Sequence, residues 1–490
     1  MNYRIIFRIH AWILGFDAVF MLPALIISAC TGDMPAVKGF AAGILISIAA
    51  AGFLAFVSRK AERRFFAREG LVATGLAWIV LSLAGALPFW ISGRMPNYFD
   101  AFFEIVSGFT TTGASVVADV EALGKGLLYF RSFSHWVGGM GVLVFFLAII
   151  PAGGKHDGYM LHILRAESPG PSVNKMVPKM RQTAGILYIM YCALTVLDVL
   201  MLLVFGRMEV FDAFCIAFGT AGTGGFAVLN SGLSTYTPAA QDITTVFMLL
   251  FGVNFGLYYM MVMRQFKTAL KDEELHAYFG IVALAVVCIA LNIWHRMPEA
   301  MNLESTVRHS AFQVASIITT TGYSTVDFDL WPGFSKAILM CLMFVGASAG
   351  STGGGIKVVR VTLLFKSIRR NAHQIFHPHE VRVIRMNGAR VSEQTVTNVT
   401  SYLAAYVIIV IGSFLLIAAD RGNFSLTTDF SAVMATFNNI GPGFDQVGAT
   451  QNFSAFSNFS KVILSLDMLF GRLEIFPILA LFSASTYRRT

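Results

Sequence analysis

Apolar runs of about 20 residues recur from one end of the chain to the other, at 11–30, 38–57, 71–92, 131–151, 184–205, 243–263, 278–295, 336–349, 402–419 and 461–483. A helix of about 20 residues rises ~30 Å, the thickness of bilayer hydrocarbon. The pattern therefore predicts an all-α polytopic membrane protein of about ten spans. Between alternate pairs of runs lies a shorter segment that recurs four times: DAFFEIVSGFTTTGAS (100–115), DAFCIAFGTAGTGGFA (212–227), SAFQVASIITTTGYST (310–325) and TDFSAVMATFNNIGPGF (428–444). Each copy opens on a polar residue near a phenylalanine, runs through apolar or small residues, and ends on a glycine in a Thr- or Asn-rich turn. Those glycines, Gly113, Gly224, Gly322 and Gly441, lie 111, 98 and 119 positions apart. The repeating unit is thus helix, short segment, helix, with pseudo-fourfold symmetry and two additional N-terminal helices.

About 11 helical residues advance only ~16 Å, half of a crossing. Such a segment enters the membrane and must turn back, leaving irregular backbone at membrane depth, which is tolerated only where it lines a polar cavity. Four turns around one axis would make a ring of carbonyl oxygens able to replace the hydration shell of an alkali cation. The short helices would aim their partially negative C-terminal ends at that cavity, favouring cations.

The stretch GASAGSTGGG, residues 346–355, interrupts the run that begins at 336. Gly346 and Gly350 at spacing four suit a close-packed helix seam, but Gly353, Gly354 and Gly355 would each cost a helix roughly 1 kcal/mol. An unwound loop across the pore explains both features and predicts a gate. A phosphate loop is excluded, since Gly355 is followed by Ile356, Lys357 and Val358 rather than by Lys and Ser or Thr.

Composition agrees: 56% of residues are hydrophobic and 13% charged, against about 25% charged in soluble domains. With alternating spans and a cytoplasmic N-terminus, 25 Lys and Arg fall inside and 10 outside. That asymmetry predicts that both termini are cytoplasmic, and makes the net charge of +8 a topology signal. The five cysteines form no CxxC pair and read as buried apolar residues. An apolar run follows the first one at once, which favours an uncleaved first helix over a signal peptide.

Arg472 is expected to be the only basic residue inside a span. It needs a partner, Asp467 or Glu474 nearby, or an aqueous lining. The loop 371–391 brings His373, His377, His379 and Glu380 close in sequence. Histidines at i and i+4 share a helix face and suit a metal, but Pro378 breaks the helix, so a docking surface for a cytosolic partner is the preferred reading. No nucleophile–base set, paired carboxylate cleft or zinc spacing points to an enzyme.

The segments SGFTTTGAS, GTAGTGGF, ITTTGYST and NNIGPGF, together with MLFGRLEIFP at 468–477, resemble the Trk/Ktr/HKT superfamily of K⁺ transporters across residues 71–483. The two additional N-terminal spans are similar to its TrkH/TrkG branch. The resemblance implies K⁺ uptake, with K⁺ as the transported ion and no covalently bound cofactor. It implies a filter made by backbone carbonyls of Thr111 and Thr112, Gly222 and Thr223, Thr320 and Thr321, and Asn439 and Ile440, with Gly113, Gly224, Gly322 and Gly441 as filter glycines. Glycine at all four places favours K⁺, since in HKT proteins a serine at the first accompanies Na⁺ selectivity. The gate would comprise Gly346, Gly350, Gly353, Gly354, Gly355 and Arg472. The resemblance also implies a homodimer in the bacterial cytoplasmic (inner) membrane, controlled by a TrkA-like cytosolic subunit that binds NAD(H) or ATP/ADP.

The expected division is 1–69 for the N-terminal extension, 70–151 for the first pore repeat and 152–183 for a cytoplasmic loop. Repeats two and three follow at 184–264 and 265–366, a second cytoplasmic loop at 367–397, and repeat four with the C-terminus at 398–490. A Na⁺ or mixed Na⁺/K⁺ transporter on the same fold, or a coupled secondary transporter, are the alternatives. Inverted repeats would characterise the latter, whereas all four copies here begin on one side.

Overall fold

The computed structural model describes residues 1–59, 67–141, 180–297, 302–420, 422 and 424–487. The expected loop at 152–183 falls almost wholly outside the described residues, as do 142–151 and Arg488–Arg489. The chain opens on a helical hairpin, α1 (Tyr3–Cys30) and α2 (Met34–Val57). The Asp33 side chain accepts the Ala36 N–H at 3.4 Å and caps α2. α2 turns Leu45, Ile46, Ile48, Phe53 and Phe56 outward, an apolar exterior suited to lipid.

Four units of one plan follow. The first has α3 (Ala67–Gly85) continued by α4 (Leu87–Ile91), then α5 (Tyr98–Phe109) and α6 (Lys125–Gly139). The second has α7 (Met180–Val204), α8 (Val210–Gly222), and α9 (Pro238–Phe251) with α10 (Phe255–Val262). A short α11 (Phe266–Leu270) leads to the third, α12 (Glu273–Arg296), α13 (Leu303–Ile318), α14 (Gly333–Met343) and α15 (Val358–Phe376). A two-stranded hairpin, β1 (Arg385–Met386) and β2 (Ala389–Arg390), precedes the fourth. That unit comprises α16 (Glu393–Ala418), α17 (Leu426–Phe437), α18 (Asn458–Arg472), α19 (Phe476–Phe482) and the terminal α20 (Ala484–Tyr487).

Among the described residues six helical stretches are long and apolar enough to cross a membrane unbroken: α1, α2, Arg68–Ile91, Gly185–Val204, α12 and α16. These are the N-terminal pair and the first helix of every unit. The second helices all break. α9 and α10 meet at 88°. α14 stops at Met343, and no helix resumes until Val358. α18 ends at Arg472, where Glu474 and Ile475 take positive φ of 55° and 71°. α6 ends at Gly139, followed by Gly141 at φ 78°. The expected runs at 131–151, 243–263, 336–349 and 461–483 are therefore not single straight helices.

Candidate ion pathway

The four short helices α5, α8, α13 and α17 have 12, 13, 16 and 12 residues. At 1.5 Å per residue none spans ~30 Å of hydrocarbon. Each carries an acidic residue in its first turn, Asp100, Asp212, Glu304 or Asp429, which complements the positive end of the helix dipole. Asn97, Asn302 and Ser425 cap α5, α13 and α17 with their side chains.

All four helices end in the same way. The N–H groups of Thr111, Thr223, Thr320 and Asn439 donate to the carbonyl three residues back at 3.1 Å, and those of Thr112, Gly224, Thr321 and Ile440 to the carbonyl five back at 2.8 Å. This double bond pattern is a Schellman closure. It places Thr111, Thr223, Thr320 and Asn439 at φ 56°, 55°, 58° and 56°. Left-handed backbone at β-branched threonine is a costly conformation of the kind concentrated at functional sites. Two residues further on, Gly113, Gly225, Gly322 and Gly441 take φ 79°, 75°, 84° and 100°.

The equivalence corrects the expected register of the second copy by one residue. Gly225, not Gly224, is the counterpart of Gly113, Gly322 and Gly441, while Gly222 stands level with Thr110, Thr319 and Asn438. The cause is His135 on α6. A Cβ at Gly224 would strike its imidazole ring, and a Cβ at Gly222 its carbonyl oxygen. The His135 Nδ1 meets the Gly108 carbonyl at 2.8 Å and its Nε2 accepts the Phe226 N–H at 3.3 Å. The second turn therefore has to be built from glycine where its counterparts carry threonine, asparagine or isoleucine.

The four turns close into a ring. A Cβ at Gly113 would strike the Gly224 carbonyl oxygen, one at Gly225 that of Thr321, and one at Gly322 that of Ile440. One at Gly441 would lie 2.7 Å from the oxygen of Thr112, which completes the circuit. Glycine is thus required both by φ and by the neighbouring carbonyl. No described residue donates a hydrogen bond to the carbonyls of Thr111, Thr112, Thr223, Gly224, Thr320, Thr321, Asn439 or Ile440. Eight buried carbonyls around the ring with no donor among the described residues are costly unless a cation or water serves them.

Side chains around the ring are only twofold alike. Thr110 and Thr112 share a 2.8 Å hydroxyl contact, as do Thr319 and Thr321. In the fourth copy the Asn439 amide instead donates to Thr112 Oγ1 at 3.0 Å and to the Met468 carbonyl at 2.9 Å. On one side of the ring a cleft of about 180 Å³ opens, lined among others by Gly113, Gly225, Gly322, Gly441, Tyr323 and Asn230.

On the other side lies the stretch 346–355, non-helical throughout. This excludes the helix seam. Gly350 and Gly355 take φ 72° and 67°. Gly353 and Gly354 approach the Thr319 carbonyl and the Asn438 carbonyl, where a Cβ would lie at 2.9 and 2.6 Å. The Gly354 N–H donates to Thr320 Oγ1 at 2.6 Å. Ser348 N–H donates to the Gly252 carbonyl, and Phe255 N–H to the Gly350 carbonyl, both at 3.0 Å. The loop is thereby tied to the re-entrant turn of its own unit and to the bend of the second.

Arg472 reaches the same loop. It donates to the Thr352 carbonyl at 2.9 Å, to Thr111 Oγ1 at 3.2 Å, to the Gly139 carbonyl at 2.7 Å and to that of Gly138. Its guanidinium thus bridges the fourth unit, the first re-entrant turn, the end of α6 and the loop. Of the acids expected beside it, Glu474 pairs with Arg360 and Asp467 accepts from Ser413 at 2.6 Å.

Sequence reasoning missed several groups. Lys357, buried, donates to the carbonyls of Gly353 and Gly354. Glu274 Oε1 accepts Ala349 N–H at 2.7 Å and Val359 N–H at 3.1 Å, holding both arms of the loop. Arg472 is also not the only basic group inside the helical body. Arg131 is buried on α6 and pairs with Glu104 at 2.5 Å, donating further to the Ala227 carbonyl and Ser115. A charged residue beside a glycine-rich or apolar run was the available signal, but the contacts each one makes are not visible in the sequence.

These features define a multi-pass membrane protein whose four re-entrant turns surround a central path. A family model described as TrkH, cation transport protein, matches residues 36–487. The chain belongs to that family. It is 35% identical to the Trk system potassium uptake protein TrkH of Escherichia coli K12, with all of both chains covered. It is 31% identical to the Trk system potassium uptake protein TrkG of the same organism, over 88% of each chain. The crystal structure of the potassium transporter TrkH from Vibrio parahaemolyticus superposes with a TM-score of 0.87 at 31% identity over the whole of both chains.

Proposed function

We propose that this chain takes up K⁺ through the ring formed by the four turns. The carrying observation is the closed circuit in which each positive-φ glycine abuts the carbonyl of the next unit, with eight carbonyls that have no donor among the described residues. Thr111, Thr112, Thr223, Gly224, Thr320, Thr321, Asn439 and Ile440 supply the filter oxygens in this reading, with Gly113, Gly225, Gly322 and Gly441 as filter glycines. Carbonyls at this density substitute for water around an alkali cation, and relatives at 31–35% identity are potassium uptake proteins.

The loop 346–355 and Arg472 form the gate. A fixed positive charge beneath a cation filter raises a barrier, and the loop blocks the path until it moves. The unit boundaries given from sequence, a homodimeric assembly, cytoplasmic termini and control by a TrkA-like nucleotide-binding subunit belong to the same proposal. Their support is kinship and the excess of Lys and Arg on one side.

The test is growth of a K⁺-uptake-deficient bacterium at limiting K⁺, with the chain expressed alone and with a regulatory subunit supplied. Rescue is expected at micromolar to millimolar K⁺. Absence of rescue despite confirmed membrane expression, with the regulatory subunit present, would overturn K⁺ uptake.

A further inference from the structure

We propose that His373, His377 and Glu380 form a binding site for a divalent late transition metal such as Zn²⁺ at the far end of α15. One ligand atom from each residue lies within 4.8 Å of the others. The separation of histidines at i and i+4 alone is a weak signal, and from sequence Pro378 breaks the set. The fold removes that objection. α15 ends at Phe376, His377 N–H closes the last turn on the His373 carbonyl at 3.0 Å, and Glu380 N–H closes the next on the His377 carbonyl at 3.1 Å. The proline therefore sits within the turn that folds Glu380 back over the two imidazoles.

The two rings are stacked at 4.4 Å and 17°, and His373 Nδ1 is shielded from solvent with no hydrogen-bond partner. It faces Glu380 Oε2 at 3.6 Å, beyond hydrogen-bond reach. The other carboxylate oxygen, Oε1, accepts from Arg382 Nε at 2.7 Å, which orients the carboxyl and leaves Oε2 toward the histidines. An ion held at about 2.0–2.2 Å from two imidazole nitrogens and one carboxylate oxygen matches zinc with an open fourth position. Contraction of the three atoms toward that geometry needs only side-chain rotation at an exposed turn. A hard cation such as Mg²⁺ or Ca²⁺ is disfavoured by two nitrogen donors.

The experiment uses the full chain purified in detergent on an affinity tag without histidines, titrated with Co²⁺ and, separately, with Zn²⁺ by calorimetry. One equivalent should bind saturably, with visible Co²⁺ bands and no strong near-ultraviolet thiolate band. His373→Ala and His377→Ala should each weaken binding at least tenfold. His379→Ala, outside the cluster, should bind as the parent does, and thermal melting checks that each variant is folded. Lack of saturable binding by the parent, retention of affinity in the His373→Ala/His377→Ala double variant, or a thiolate band tracking the cysteines would each overturn the site. Because the readout is metal binding, its result is independent of whether K⁺ is transported.

Discussion

Glycines in the first helices of units two to four and those where α6, α9 and α18 end face opposite surroundings. On α7, α12 and α16, Gly185, Gly280 and Gly412 have nothing within 4 Å of where a Cβ would stand. On the second helices a Cβ at Gly138 would strike the Phe109 carbonyl oxygen, and one at Gly471 that of Phe437. One at Gly252 would lie 2.5 Å from the Tyr278 hydroxyl and 2.9 Å from the Thr319 methyl. The second helices press their backbones against the C-terminal ends of the short helices, and all of them break at that depth. Irregular backbone is costly in lipid but tolerable where it lines a cavity. The difference teaches that α7, α12 and α16 turn much of their surface outward, while the broken helices pack against the re-entrant turns.

The largest effect expected from this contrast concerns Arg472, whose side chain joins the end of a second helix, a re-entrant turn and the loop. Arg472→Gln removes charge-assisted bonds to the carbonyls of Thr352, Gly138 and Gly139, each worth roughly 1.5–3 kcal/mol. At about 1.4 kcal/mol per factor of ten, basal Rb⁺ flux into proteoliposomes should rise at least tenfold. Unchanged basal flux would remove Arg472 from the gate. Glu274→Gln acts on both arms of the loop, weakening the bonds to Ala349 and Val359. Its expected effect is smaller, roughly three- to tenfold on the same assay. A Glu274→Gln variant indistinguishable from the parent would show that the loop is held elsewhere.

The register of the second turn offers a sharper test. Gly224→Ala brings a methyl against the His135 ring and should abolish most uptake, whereas Gly224→Ala combined with His135→Ala should regain part of it, because neighbours in contact are not additive. Gly113→Ser and Gly225→Ser should each lower the K⁺/Na⁺ preference by altering the filter glycine. If Gly225→Ser left selectivity untouched while Gly224 variants changed it without dependence on His135, the second turn would have to be re-registered.

Most of the architecture could be read from the hydrophobic pattern, because lipid imposes length and polarity directly on sequence. The four turns were equally visible in their Thr-Thr-Gly and Asn-Ile-Gly endings, and so was the loop at 346–355, where five glycines leave little else. What stayed hidden depended on contacts between units. GTAGTGGF holds adjacent glycines at 224 and 225, and only the folded turn shows that Gly225 takes positive φ while Gly224 is glycine because the His135 ring lies against it. The breaks at Gly139 and Leu473 sit in apolar runs that read as spans, since one or two small residues do not distinguish a tolerated glycine from a terminus. Arg131 reads as a loop charge until Glu104, 27 positions away, is seen beside it.

The smallest predicted effect is the control on which the contrast rests. Alanine at Gly280 or Gly412 meets open space and gains helix propensity of about 1 kcal/mol, so flux should stay within twofold of the parent and thermal stability should hold or rise slightly. Gly252→Ala, by contrast, must displace the Tyr278 hydroxyl, which donates to the Leu249 carbonyl at 3.2 Å, and press on Thr319 next to the third turn. It should reduce flux several-fold even where expression is normal. If Gly280→Ala and Gly252→Ala proved equally harmless, close backbone approach would not be what breaks the second helices. Their interruptions would then trace to the residues beyond them, Asn254 in particular, whose side chain accepts the Gly256 N–H at 2.7 Å and starts α10 in a new direction.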